Sequence, residues 1–194
     1  MNQELIQEAK SMLNTSEKWN AFLDLTYQKD NIRNQWFTKL KDELGNTFLN
    51  NYFSSHWDFK INGGFSIQWF LKEFGENSIS LWLENENFSL YAPSNCKIEE
   101  IYKLIKSENF LPIVNCFERS NSISNGGYII TEKGNFSFGT PYDTNFELDR
   151  LAWFAGNETE NFINQITVKV NKFRLNEEVT NLLKELNQLT KNQL

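Results

Sequence analysis

The sequence predicts an α+β domain: antiparallel strands with helices packed on them from both ends of the chain. Three observations carry this. Apolar residues in the first fifty positions recur at helical spacing. From about Trp57 they alternate with polar residues, as in strands with two unlike faces. The last forty positions return to the helical period. With 194 residues, a single domain is expected: a helical part over 1–53, two βββα units over 57–155 and a helical pair over 157–191. The 17 Phe, 6 Trp and 6 Tyr supply its core, since each buried aromatic removes about 150–250 Å² from water.

Leu5, Ile6, Ala9, Met12 and Leu13 mark a first helix. Trp19, Phe22, Leu23 and Tyr27 mark a second, with Ser16 as its N-cap. Ile32, Trp36, Phe37, Leu40 and Leu44 form a third stripe, and Gly45 follows where a C′ glycine would end the helix. Phe48, Leu49, Tyr52 and Phe53 suggest a short fourth.

Beyond these, Phe65, Ile67, Trp69 and Leu71 alternate with Ser66, Gln68, Phe70 and Lys72. Ile79, Leu81 and Leu83 alternate with Ser80, Trp82 and Glu84, and Phe88 and Leu90 lead on to Tyr91. Asn62-Gly63-Gly64, Gly75-Glu76-Asn77 and Asn85-Glu86-Asn87 are turn chemistry, which makes an antiparallel meander. Pro93 has no amide hydrogen for a ladder and ends it. Ser94 or Asn95 then caps a helix through Ile98, Ile101, Tyr102 and Ile105. Residues 111–117, 128–132 and 135–138 read as a second set of strands around a polar loop over 120–127, with Pro141 as terminator. Phe146, Leu148, Leu151 and Phe154 lie on a helix closed by Gly156. Two further helices follow, one through Phe162, Ile166, Val170 and Phe173, the other capped by Asn176 and carrying Val179, Leu183 and Leu186.

Sliding the chain by 48 residues lays Asn87-Phe88-Ser89 and Pro93 on Asn135-Phe136-Ser137 and Pro141, and Glu84 on Glu132. This is a candidate internal duplication of the βββα unit. Chance similarity between two hairpin-to-helix junctions in a chain rich in Asn and Phe competes with it. The order of elements resembles that of bacterial secretion chaperones at the level of topology, which does not carry function.

Composition excludes more than it assigns. The net charge is −6, and no segment is basic; residues 54–118 carry −4. A broad phosphate-tracking surface is therefore not expected, and nucleic acid is an unlikely partner. An acidic chain suits a protein partner with basic patches. The start of the chain shows no signal-peptide pattern, no stretch is apolar enough for a bilayer, and Cys96 and Cys116 form no CxxC; the expectation is a cytoplasmic protein with free thiols. The 27 Asn, spread evenly, read as the habit of a bacterial or phage genome of low GC content.

His56 is the only histidine, between Ser55 and Trp57, and neighbours on an extended strand cannot converge as a triad. Cysteine and histidine spacings match no zinc site, and the glycine pairs precede strands without matching a phosphate loop, so no metal and no cofactor are expected. Glu84 and Glu132, equivalent in the repeat, could form an acidic site with His56 between the two units; solvated acids beside tight turns are the favoured reading, since structural charges far outnumber catalytic ones. Phe70, Trp82 and Tyr91 fall on the strand face opposite the aliphatic residues. Either helices cover them, the reading favoured by the number of predicted helices, or they form a docking patch with the polar loop around Arg119. The leading expectation is a non-enzymatic protein-binding module of the immunity-protein, antitoxin, inhibitor or chaperone type. A small-ligand protein or enzyme using the acidic residues is the alternative.

Overall fold

The computed structural model describes residues 3–51, 56–63, 65–85, 87–118, 127–132, 136 and 148–191. Among these, five strands form one antiparallel sheet in the order β1 to β5: Trp57–Asn62, Ser66–Leu71, Ser80–Glu84, Asn87–Tyr91 and Tyr128–Glu132. The first four are an antiparallel meander, as the alternation predicts. At the β3–β4 turn Asn85 adopts a positive φ of 53°, a conformation that asparagine tolerates better than most residues. The chain then leaves the sheet for the helices α3 (Ile98–Ile105) and α4 (Leu111–Asn115) and returns as β5 beside β4.

The α+β class and the flanking helices agree with the sequence pattern, and three expectations are corrected. The three helices expected from Ser16 onward are one, α2 (Ser16–Asn51), which runs through Gly45. Phe37, Leu40, Leu44 and Phe48 are buried on one unbroken stripe, and their burial outweighs the roughly 1 kcal/mol helix cost of a glycine. Residues 111–117 are not a strand: a 3-10 turn over Glu108–Phe110 leads into α4. Phe110, Ile113 and Phe117 are buried at helical spacing, and Pro112 sits in the first turn, where its missing N–H costs nothing. The helix α3 takes Lys97 as N-cap without a side-chain bond, rather than Ser94 or Asn95.

These corrections bear on the duplication. The first strand of the second unit is helical, and 135–138, apart from Phe136, lies outside the described residues. Glu84 and Glu132, matched by the 48-residue shift, lie on opposite faces of the one sheet.

One face of the sheet carries Trp57, Ile67, Trp69, Leu71, Leu81, Leu83, Phe88 and Leu90, all buried. Onto it pack α2, α6 (Thr159–Arg174) and α7 (Glu177–Thr190). Phe48 of α2 meets Trp69 edge-on at 5.6 Å, Phe65 stacks on Phe37 at 4.7 Å, and Phe173 of α6 meets Phe88 at 6.1 Å. From α7, buried Asn187 accepts the Ile79 amide at 2.8 Å and donates to the Ile79 carbonyl, so the start of β3 is satisfied inside the core. Asn176 caps α7 as expected, accepting from the Val179 amide.

The helix α5 (Leu148–Asn157) lies along α2. A Cβ on Gly156 would come within 2.1 Å of the Trp36 ring, so this glycine is set by close helix packing rather than by helix termination. Lys29 and Arg33 both bind Asp149, and these hydrogen bonds hold its carboxyl below the usual carboxylate range. The helix α1 (Gln3–Met12) has no buried residue, and Trp19, Phe22, Leu25 and Tyr27 on the first half of α2 are exposed. The helix α1 and the first part of α2 therefore lie outside the core. No helix among the described residues is long and apolar enough to cross a membrane.

Candidate functional site

The second face of the sheet is built in three cross-strand rows, because residues opposite each other in an antiparallel ladder share a face. One row is Ser80, Tyr91 and Tyr128, and Phe70, opposite Asp58, shares this face by alternation with Gln68. The next is Lys60, Gln68, Trp82, Ser89 and Thr131. The third, at the end bearing the β1–β2 and β3–β4 turns, is Asn62, Ser66, Glu84 and Asn87. Ser66, Gln68, Ser80 and Ser89 on this face are buried. Phe70, Trp82, Tyr91 and Tyr128 are half-buried and lie outside the continuous core.

The aromatic residues form a ladder. The Trp82 and Tyr91 centroids are 5.0 Å apart, and those of Tyr91 and Tyr128 are 5.2 Å apart. Such tilted pairs hold one another in place. A register shift between Leu90 and Tyr91 sets Tyr128 opposite Tyr91 and turns Ile129 into the core. Gly127 lets the ladder close: a Cβ there would lie 2.5 Å from the Tyr91 ring and 2.6 Å from the Ala92 carbonyl oxygen.

Polar groups surround the rings. The Tyr128 hydroxyl reaches across β4 and donates to Glu84 Oε2 at 2.5 Å. Burial, and then the hydrogen bond and negative charge of Glu84, push the Tyr128 phenol well above its usual pKa, so it stays a donor. Gln68 donates to Ser80 and to the Glu76 carbonyl, and Lys60 pairs with Glu76. Beside them, Asn62 Nδ2, Ser66 Oγ, Trp82 Nε1 and Asn87 Oδ1 are sealed from solvent with no hydrogen-bond partner, four of six such atoms among the described residues. Buried polar atoms are nearly always paired, and each unpaired one costs about 1–3 kcal/mol.

The structure thus brings together Phe70, Trp82, Tyr91 and Glu84, and it adds Tyr128, Gly127 and the row of Asn62, Ser66 and Asn87. Arg119 and the rest of its loop up to residue 126 lie outside the described residues. Glu132 and His56 are elsewhere. Glu132 is on the core face, where it binds buried Lys169 and accepts the Glu118 amide at 2.8 Å. His56 is exposed just before β1, with Nδ1 3.5 Å from Lys184 Nζ. The acidic residues and the histidine therefore do not converge. Among the described residues no three His, Cys, Asp or Glu side chains are grouped to hold a metal. Burial raises both cysteine thiols above their ordinary pKa. Comparison with known proteins yields no match to a family model, a curated protein or a solved structure.

Proposed function

We propose that this protein is a non-enzymatic protein-binding module and that the second face of its sheet is the contact surface. The observation that supports this most is the ladder of Trp82, Tyr91 and Tyr128, half-buried outside the continuous core and held by Gly127 and Glu84. Trp and Tyr dominate the energetics of protein interfaces because they bring large area at low conformational cost. The net charge of −6 favours a partner with a basic surface through faster encounter. An acidic active site finds no comparable support, since Glu84, Glu132 and His56 are dispersed over two faces and an edge of the sheet.

Affinity capture of the tagged protein at physiological salt tests this reading. The expected result is a stoichiometric complex with a second protein that survives gel filtration. Recovery of the protein alone would count against it.

A further inference from the structure

The buried stripe of α2 continues past the core. Eighteen residues make about five whole turns of an α-helix, so Trp19 lies on the line of Phe37 and Phe22 on that of Leu40. Phe37 and Leu40 are 4% and 0% exposed, whereas Trp19 and Phe22 are 48% and 44% exposed. Leu25, on the same side of the helix, is 61% exposed. The Trp19 and Phe22 rings, 5.7 Å apart, form one patch. A stripe of this width marks a helix face that packs against something. From this continuity we infer that the first half of α2 packs against the same segment of a second copy of this chain, in a weak antiparallel dimer. The contact is separate from the sheet face and stands or falls independently of it.

The order of residues in the segment suits its own copy. With two helices antiparallel about a twofold axis at Phe22, Trp19 of each lies opposite Leu25 of the other. The stripe is then complementary to itself, as an isologous contact requires. Every charge from Glu17 to Asp30 falls opposite an uncharged residue in this register: Lys18 opposite Thr26, Asp24 opposite Asn20 and Asp30 opposite Asn14. A parallel packing sets each charge beside its own copy instead. A membrane surface is a poor match. Helices that lie on one carry an excess of Lys and Arg, whereas residues 3–30 hold five acids and three bases. Trp19, Phe22 and Leu25 offer roughly 350 Å² of each copy, below the roughly 800 Å² per partner of a stable complex. The dimer is therefore reversible, with a dissociation constant of roughly 10–100 µM.

Sedimentation velocity of the full chain at physiological salt, from about 5 to about 500 µM, tests this. The mass is expected to rise with concentration from one copy towards two and to stop there. Phe22→Glu sets two carboxylates against each other at the axis and should weaken association by about tenfold or more. Tyr27→Glu, at an 81% exposed position on another side of the helix, should change it by less than about twofold. Circular dichroism checks that both variants remain folded, as expected for substitutions at exposed sites. A parent that stays monomeric throughout, a Phe22→Glu variant that associates like the parent, equal loss with Tyr27→Glu, or growth beyond two copies would each overturn the inference. With a monomeric parent, co-sedimentation with vesicles of anionic phospholipid would assign the stripe to a membrane. Loss of a cellular partner on Trp19→Ala with Phe22→Ala would assign it to a different protein.

Discussion

Lys169→Met should be among the most damaging single changes in this chain, although lysine is the residue type most often dispensable. The Lys169 and Glu132 side chains are 8% and 2% exposed, and they pair directly between α6 and β5. The ammonium also lies 5.5 Å from the centre of the Phe136 ring. Methionine fills similar space, so packing changes little, but Glu132 is left as a buried carboxylate without its cation. Breaking one side of such a pair costs about 3–5 kcal/mol. For a domain of 194 residues that corresponds to a drop in Tm of roughly 6–20 °C. Replacing both partners, with Glu132→Leu added, removes the buried carboxylate as well. The double variant should recover most of the loss and fall short of the parent by about 1 kcal/mol, because the Glu118 amide loses its acceptor. Urea unfolding of the parent, both single variants and the double variant gives the coupling directly. A cost below about 1 kcal/mol for Lys169→Met, or strictly additive effects, would refute the buried-pair account.

Three further outcomes follow from the same structure. Removing residues 3–13, the whole of α1 and the residue after it, should leave the unfolding midpoint of the body unchanged within about 0.5 kcal/mol, since α1 buries nothing; differential scanning calorimetry reads it. Gly127→Ala should destabilise by about 1–3 kcal/mol and change tryptophan fluorescence, because the added methyl meets the Tyr91 ring and the Ala92 carbonyl oxygen. Cys96 and Cys116, their pKa values raised by burial, should react with a thiol reagent at pH 8 more slowly than a free cysteine, and both should react at the ordinary rate once urea unfolds the chain.

Much of the fold was legible because hydrophobic period reports directly on burial. The alternation through Ile67, Trp69, Leu81, Leu83, Phe88 and Leu90 is that of the core face, and Asn176 behaves as the cap its position suggests. The errors arose where two periods coincide. Over 111–117 the apolar residues fit an alternating pattern, yet Phe110, Ile113, Val114 and Phe117 fit a helical one equally well, and Pro112 tips the balance. Gly45 signals a helix end only if nothing compels continuation, and the stripe from Phe37 to Phe48 does. Of the site, Phe70, Trp82 and Tyr91 were readable from alternation alone. Tyr128 was not, because its place in the ladder depends on the register shift beside Leu90, which leaves no trace in local sequence. Pairing also decides Glu132, since its position opposite Phe88 and the reach of Lys169 from α6 draw it into the core.

Aromatic residues outside the core lie half-buried on the sheet face and exposed on the first half of α2, and binding of the cellular partner is assigned to the first. The direct comparison is capture of the cellular partner by the parent, by Trp82→Ala with Tyr91→Ala, and by Trp19→Ala with Phe22→Ala, each confirmed as folded by circular dichroism. Loss of the partner with the sheet-face pair and retention with the α2 pair is the predicted result. Retention by the sheet-face pair, or loss confined to the α2 pair, would contradict it.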